Sequence, residues 1–279
     1  MCPMADSSVL YTVEHEAMAT TFRLSLVGTD DAYLRQAARA ACEELDRLES
    51  RLSRHIEHAD VARLNRLAPG EALVVHPDTL QCLRMAETIR KDTAGAFDVS
   101  YGSDRVVPHP RLRIDPETHA VRILAAGVRL DLGGIGKGYA LDRMAQLLTE
   151  WDITAALLCA SGSTILAREA RPGEKGWPIA FGPDPPQQAR LRNMAFSGSG
   201  KGVRGAHIID PNSGQPAEGA LQAWAAAPTA AQADALSTAF MVMPQAAIAA
   251  YCHRRPDVSA WILLKANGPL IAVADRLAS

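Results

Sequence analysis

Aromatic residues make up only 5% of this 279-residue chain, and no apolar run in it approaches the ~20 residues that a membrane-spanning helix requires. A membrane span is therefore not expected. Residues 1–10 lack a basic n-region followed by an apolar h-region, so no export signal is read there, and nothing precedes Cys2 to mark it for lipidation. The five cysteines, at 2, 42, 82, 159 and 252, are odd in number and scattered. That spacing argues against a disulfide framework and against a Cys-x-x-Cys metal knuckle, and it predicts a soluble, cytoplasmic protein in a reducing compartment. Excess positive charge is missing too. A formal net charge of −2, with no dense Lys/Arg stripe interleaved with aromatics, excludes a general nucleic-acid binder and leaves small molecules or proteins as partners. What the chain has is apolar aliphatic material, 48% hydrophobic residues in all, enough for a sizeable core.

Periodicity divides that material into an α+β pattern. Residues 21–27 alternate and predict a strand. Leu34, Ala38, Ala41, Leu45, Leu48 and Leu52 form one apolar stripe on a following helix. A second helix is expected from Pro77 to Gly95, and a third after the glycines near 134–138. From residue 153 onward short strands are predicted at 155–159, 177–181, 191–196, 207–210 and 221–227, with loops at 171–176 and 182–188. Helices at 231–243 and 245–253 and a hairpin of 258–264 with 270–273 complete the chain. No internal repeat or long linker interrupts it, so residues 1–279 are read as one unit.

Four glycines, a carboxylate and a lysine meet in Asp131-Leu-Gly-Gly-Ile-Gly-Lys-Gly138. The apolar run 121–130 before it reads as a strand, and Tyr139, Ala140, Met144, Leu147, Leu148 and Trp151 after it recur at helical spacing. Glycines at such a turn let backbone approach a ligand, and helix-start N–H groups with Lys137 favour an anion. The spacing matches neither Gly-x-Gly-x-x-Gly nor a Walker loop. A phosphate or nucleotide cradle and a plain tight turn with a surface lysine both fit these residues.

Two further constellations carry candidate chemistry. In Ala233-Asp-Ala-Leu-Ser-Thr-Ala239, Asp234 and Thr238 stand four apart, which puts both oxygens on one helix face. A carboxylate and a hydroxyl there suit part of an oxygen shell for Mg²⁺, and equally an ordinary capped first turn. His207-Ile-Ile-Asp-Pro-Asn-Ser-Gly214 reads as a short strand into a turn, with His207 either a general base or a structural hydrogen-bonder. Gly95-Ala-Phe-Asp98 reads as a helix stop leading to a carboxylate. His55 and His58 lack a third metal ligand and are read as surface polar residues.

In sequence order the chain also carries Met18-Ala-Thr-Thr-Phe22, Gly95-Ala-Phe-Asp98, the glycine run, Ser197-Gly198, His207-Ile-Ile-Asp-Pro211 with Gly214 and Pro216, and Ala233-Asp-Ala-Leu-Ser-Thr238. The set, spread over most of the chain, resembles the ApbE-like FAD:protein FMN transferase family. The resemblance implies an α+β fold of the T-fold type, FAD as donor, Mg²⁺ as cofactor, and covalent attachment of FMN through phosphate to a Ser or Thr hydroxyl of an acceptor protein. It further implies metal ligands at Asp234, Thr238 and the backbone carbonyl of Gly134, with Ser237 beside them. FAD contacts fall on Met18, Ala96, Phe97, Asp98, Asp131, Lys137, His207 and Ile208. Lys137 is implied as the partner of the diphosphate and His207 as the group that activates the acceptor hydroxyl.

This chain departs from that family pattern in four places. Ser161-Gly-Ser163 stands where relatives carry Gly-Gly-Asp, and Tyr101-Gly-Ser-Asp-Arg105 replaces a longer apolar and aromatic stretch. His55 stands where a ligand-stacking tyrosine is common, and 199–205 is a compressed glycine-rich loop. Two other readings therefore accompany the transferase: an FAD pyrophosphatase releasing FMN and AMP, and a catalytically silent flavin-binding relative.

Overall fold

The structure is a computed structural model, in which residues 8–103, 109–200 and 208–277 are described. Its frame is an eight-stranded sheet in the order β1 (Val9–Ala17), β2 (Thr20–Gly28), β6 (Ala156–Ala160), β7 (Thr164–Ala167), β10 (Met194–Gly200), β11 (Gln222–Ala227), β12 (Ser259–Leu263), β13 (Ile271–Ala274). Every neighbouring pair is antiparallel. The fold class is α+β as expected. A three-stranded sheet of β3 (Ala72–Val74), β5 (Ala120–Ile123) and β4 (Leu112–Asp115) and a hairpin of β8 (Trp177–Phe181) with β9 (Gln187–Leu191) lie outside the main sheet.

Helices cover one face of the large sheet. α1 (Asp31–Leu52) packs on β1 and β2, α4 (Gly136–Glu150) on β6 and β7, and α5 (Ala230–Phe240) on β7, β10 and β11. α2 (Asp60–Leu64), α3 (Pro77–Asp92) and α6 (Gln245–Arg254) complete the helices. The α1 stripe read from the sequence is buried as predicted, Leu34, Ala38, Ala41, Leu45, Leu48 and Leu52 all facing the core. The opposite face of the sheet is covered by the β8–β9 hairpin, where Phe181 meets Phe196, Trp224 and Trp261 with ring centroids 4.7, 5.9 and 5.1 Å away. Three of the chain's four tryptophans, Trp177, Trp224 and Trp261, are spent on this second core.

Three sequence expectations are corrected. The strand predicted over 121–130 ends at Ile123, because Gly127 sits at φ +74° and the later N–H groups take side-chain partners instead of a ladder. Arg129 N–H donates to Ser103 Oγ and Leu130 N–H to Asn65 Oδ1. The strand predicted over 191–196 is two strands, β9 and β10, separated at Asn193 with φ +50°. Of the strand predicted over 207–210, only an isolated bridge between Ile209 and Pro216 is present among the described residues. β1, unread in the sequence, pairs with β2 through a two-residue turn, Met18 and Ala19, at φ +52° and +56°. Both residues occupy the left-handed region that a tight hairpin turn demands and that non-glycine residues adopt only at a cost.

The start of α5 is held by α4. Asp142 accepts hydrogen bonds from Ala230 N–H and Ala231 N–H at 2.8 and 2.9 Å, capping two donors that Thr229 alone does not reach. Burial pushes the Asp142 carboxyl up to about 6, above its ordinary 3.8, although those two N–H groups favour the charged form. A raised folded-state pKa means that the folded chain binds the extra proton between about pH 4 and 6. Stability is therefore expected to fall as pH rises through that window, by about 2–3 kcal/mol. Asp142→Asn should flatten this slope, whereas Asp142→Ala should cost about 2 kcal/mol at pH 7 through the lost cap. Urea titrations from pH 4 to 8 check both, and an unaltered slope in Asp142→Asn rules the carboxyl out as its origin.

Candidate active site

The glycine run is an irregular turn leading into α4. Asp131 Oδ1 accepts from Gly133 N–H at 2.8 Å, and Gly136 N–H donates to Leu132 O at 2.7 Å, closing the turn. Ile135 at the N-cap offers no side-chain acceptor, and the first-turn amides are met elsewhere: Gly136 N–H by Leu132 O, Gly138 N–H by Asp234 Oδ2 and Tyr139 N–H by Ile135 O. Gly138 is where α4 crosses the start of α5. A Cβ there would lie 2.2 Å from Ala230 O, so only glycine permits the approach.

That approach delivers Asp234 to the turn. Its Oδ2 accepts from Gly138 N–H at 3.3 Å and stands 3.5 Å from Lys137 Nζ, and its Oδ1 accepts from Thr164 Oγ1 at 3.3 Å. Lys137 Nζ also donates to Gly133 O at 2.8 Å, which folds the lysine back over its own turn. Asp234 is 5% exposed, so its charge is carried by an ammonium, a helix-start amide and a hydroxyl rather than by water. Gly134 lies against the same place: a Cβ on it would sit 3.5 Å from Thr238 Oγ1 and 3.2 Å from Phe97 Cε2.

Hydroxyls from sheet and helix converge beside this carboxylate. Strand alternation puts Ser197 and Ser199 of β10 on the α5 side, while Gly198 between them faces Trp224. Ser197 Oγ lies 3.0 Å from Thr164 Oγ1 and 3.3 Å from Ser237 Oγ. Ser199 Oγ lies 2.9 Å from Ser237 Oγ and 3.3 Å from Thr238 Oγ1. Ser197 and Ser237 are fully buried, whereas Ser199 and Thr238 are half-buried at the open end of the row.

A cleft of about 500 Å³ opens nearby, lined in part by Gly95, Asp98, Tyr101, His109, Arg111 and Asn212. Phe97 and Asp98 link cleft and turn, since the Phe97 ring packs on Gly134 while the next side chain faces the cleft. Asp98 is committed: Oδ1 accepts from Ser100 N–H and Oγ–H at 2.8 and 2.7 Å, and Oδ2 faces His109 Nε2 at 2.9 Å and Arg111 Nη1 at 3.3 Å. Burial, helped by Arg90 and Arg111 and opposed by Asp98, holds the His109 imidazole below its ordinary pKa. Tyr101 OH donates to Asp131 Oδ2 at 3.0 Å, and Arg54 Nη1 pairs with the same oxygen at 3.1 Å. Burial first, then the Asp131 charge, raises the Tyr101 phenol.

Of the residues singled out in the sequence, Gly134, Lys137, Asp234, Ser237 and Thr238 are brought together directly. Phe97 and Asp131 border them, and Asp98 stands across Phe97 in the cleft. Ala96 and Ile208 bury their side chains in the main core, leaving only backbone for a ligand. Met18 N–H donates to Glu49 Oε1 at 2.8 Å from the strained hairpin turn. His207 lies outside the described residues. Thr164 and Ser199 were missed in the sequence; the period-two spacing from Ser197 was the available signal for Ser199. His55 and His58 are exposed, as read.

Among the described residues no three His, Cys, Asp or Glu side chains gather as a metal cage. The oxygen set is instead one carboxylate, two hydroxyls and a carbonyl-bearing glycine turn, with the Lys137 ammonium already drawn to the carboxylate. Such a set fits a hard divalent cation that takes its other ligands from water and phosphate. No helix among the described residues is long and apolar enough to cross a membrane.

The chain is similar to known proteins over most of its length. The chain is 28% identical over 275 residues to the FAD:protein FMN transferase of Treponema pallidum (strain Nichols), covering 79% of this chain and 76% of that protein. It is 24% identical over 284 residues to a protein of the same name from Klebsiella pneumoniae (strain 342), covering 86% and 81%. The solved ApbE protein of Thermotoga maritima superposes with a TM-score of 0.81 at 26% identity, over 95% of this chain and 97% of that one. The flavin transferase ApbE of Vibrio cholerae shares the fold, with a TM-score of 0.82 at 20% identity. The profile of the ApbE family matches residues 18–262, which take in the Met18 turn, the glycine run and the Asp234 helix, and the chain belongs to that family.

Proposed function

We propose that this chain is an Mg²⁺-dependent FAD:protein FMN transferase, which moves FMN from FAD to a Ser or Thr hydroxyl of an acceptor protein and releases AMP. The carrying observation is the junction of Lys137, Asp234 and Thr238 with Gly134, in a member of a family whose relatives bear that name. Gly134 O, Asp234, Ser237 and Thr238 would hold Mg²⁺, which supplies charge neutralisation at the FAD diphosphate. Lys137, already poised between Gly133 O and Asp234, would turn its ammonium to the diphosphate oxygen on which charge grows as AMP leaves. The positive end of the α4 dipole would add to the same field.

The acceptor oxygen attacks the FMN phosphorus, the bond to the AMP oxygen breaks, and the hydroxyl proton passes to a base. His207 is the base implied by the family pattern. The 500 Å³ cleft, walled by Tyr101, Asp98 and Asn212, would take part of the donor, with Asp131 and Met18 as further contacts implied by the family pattern. Water in place of the hydroxyl would give FMN and AMP. The Ser161–Ser163 turn, whose two hydroxyls bond each other at 2.7 Å with no carboxylate between them, favours a third reading, the catalytically silent flavin-binding relative. The test is purified protein with FAD, MgCl₂ and a Ser/Thr-containing acceptor peptide, read by flavin fluorescence of the peptide and its gain of one FMN. AMP without peptide conjugation identifies the pyrophosphatase, and FAD binding without AMP the silent relative.

A further inference from the structure

We infer that Ser199 is a positioning residue for Thr238, holding the threonine proton away from the oxygen lone pairs that would face the cation; the inference rests on the Mg²⁺ site proposed above. A hydroxyl can ligate a cation only through a lone pair, so its proton needs an acceptor elsewhere. Inside α5 that acceptor is scarce. Asp234 O already takes Ser237 Oγ–H at 2.9 Å and, as the i−4 carbonyl of the helix, the Thr238 backbone N–H, so Thr238 Oγ1–H at 3.3 Å meets an oxygen whose two lone pairs are engaged.

Ser199 relieves the shortage from the sheet side. With the Ser237 proton committed to Asp234 O, the 2.9 Å contact assigns the Ser199 proton to Ser237 Oγ. Ser199 Oγ then has lone pairs to receive Thr238 Oγ1–H across 3.3 Å. The hydroxyls thereby run in one direction, Thr238 to Ser199 to Ser237 to Asp234 O, and the outer oxygen of the row is left as a donor of electron pairs. Burial supports this order, because Ser197 and Ser237 are fully enclosed while Ser199 and Thr238 sit at the open end. Ser199 is held in this orientation by β10, whose pairing with β11 at Ala223 fixes the strand face.

The experiment titrates MgCl₂ into FAD-loaded protein by calorimetry for wild type, Ser199→Ala and Ser199→Thr, with the melting temperature of each metal-free protein recorded alongside. Ser199→Ala is expected to weaken Mg²⁺ binding about tenfold or more, as loss of an outer hydrogen-bond partner does at metal sites, with Ser199→Thr restoring most of it. In conjugate formation the greater part of the loss should appear in the Mg²⁺ concentration for half-maximal rate rather than in the rate at saturation. Mg²⁺ affinity unchanged in Ser199→Ala, or weakened equally in Ser199→Thr with melting temperatures intact, overturns the inference. A wild type that binds no Mg²⁺ overturns it together with the site on which it rests. A wild type that binds Mg²⁺ in the expected order of variants but forms no conjugate overturns only the transferase reading.

Discussion

Asp234→Asn is expected to lower the rate of FMN conjugate formation about a thousandfold, the size of effect seen when a preorganised charge is removed from a transition state. Asp234 is the carboxylate that stands 3.5 Å from Lys137, whereas Asp131, the other carboxylate of the turn, is engaged by Gly133 N–H, Tyr101 OH and Arg54. The asparagine keeps the side chain's shape and one carbonyl oxygen for Gly138 N–H or Thr164 Oγ1–H, but it no longer balances Lys137 at 3.5 Å. The ammonium then stands unpaired where a divalent cation would have to sit, so both Mg²⁺ affinity and turnover should fall. Circular dichroism and melting temperature report whether α5 still docks. Conjugation by Asp234→Asn at the wild-type rate in MgCl₂ would sink the assignment of this carboxylate.

Gly138→Ala is expected to be strongly damaging, since among the described glycines its added Cβ meets backbone at the shortest distance, 2.2 Å. The new Cβ would lie 2.2, 2.4 and 2.6 Å from Ala230 O, Ala230 C and Ala231 N, all backbone atoms that no rotamer change can move. α4 and α5 would have to separate, breaking the Asp142 cap and pulling Asp234 away from Lys137. About 3–5 kcal/mol of destabilisation follows for overpacking against unyielding backbone. For a protein of this size that corresponds to a melting temperature lower by about 10 °C. A variant melting within about 2 °C of wild type would show that the helices do not meet at Gly138. Gly134→Ala supplies the contrast, since its nearest neighbour, a Phe97 ring carbon at 3.2 Å, can tilt aside.

The helices were legible in the sequence because each carries its own signal: the apolar stripe of α1, Pro77 opening α3, and the glycines opening α4. The strands were legible where apolar residues alternate, as in β2 and β8, or form a short run buried on both faces, as in β11 and β12. β1 escaped because its alternation, Val9 to Ala17, carries charged and polar residues at an edge, and its turn uses Met18 and Ala19 where glycine or asparagine would be looked for. The strand expected across 121–130 failed because an apolar run says nothing about where its N–H groups go, and here Ser103 and Asn65 take them. At the site, Asp234 and Thr238 were readable from a four-residue interval. Thr164 and Ser199 were not read, because they meet α5 only once the sheet lays β7 and β10 against it, Thr164 at Asp234 and Ser199 at Ser237 and Thr238. The Thr164–Asp234 and Ser199–Ser237 pairs are 70 and 38 residues apart along the chain.

The span of those relations bears on how the protein comes into being. The cluster is assembled from 134–138, 164, 197–199 and 234–238, and the Asp142 contact that docks α5 reaches 88 residues forward. Loops of that length must close before any of these contacts is rewarded, which makes folding slow relative to a chain built from neighbouring contacts. During synthesis the glycine turn and Lys137 emerge nearly a hundred residues ahead of Asp234. A nascent or truncated chain ending before α5 thus has the glycine turn and Lys137 without the carboxylate that meets them, and the cluster is completed only once the last third of the polypeptide has docked.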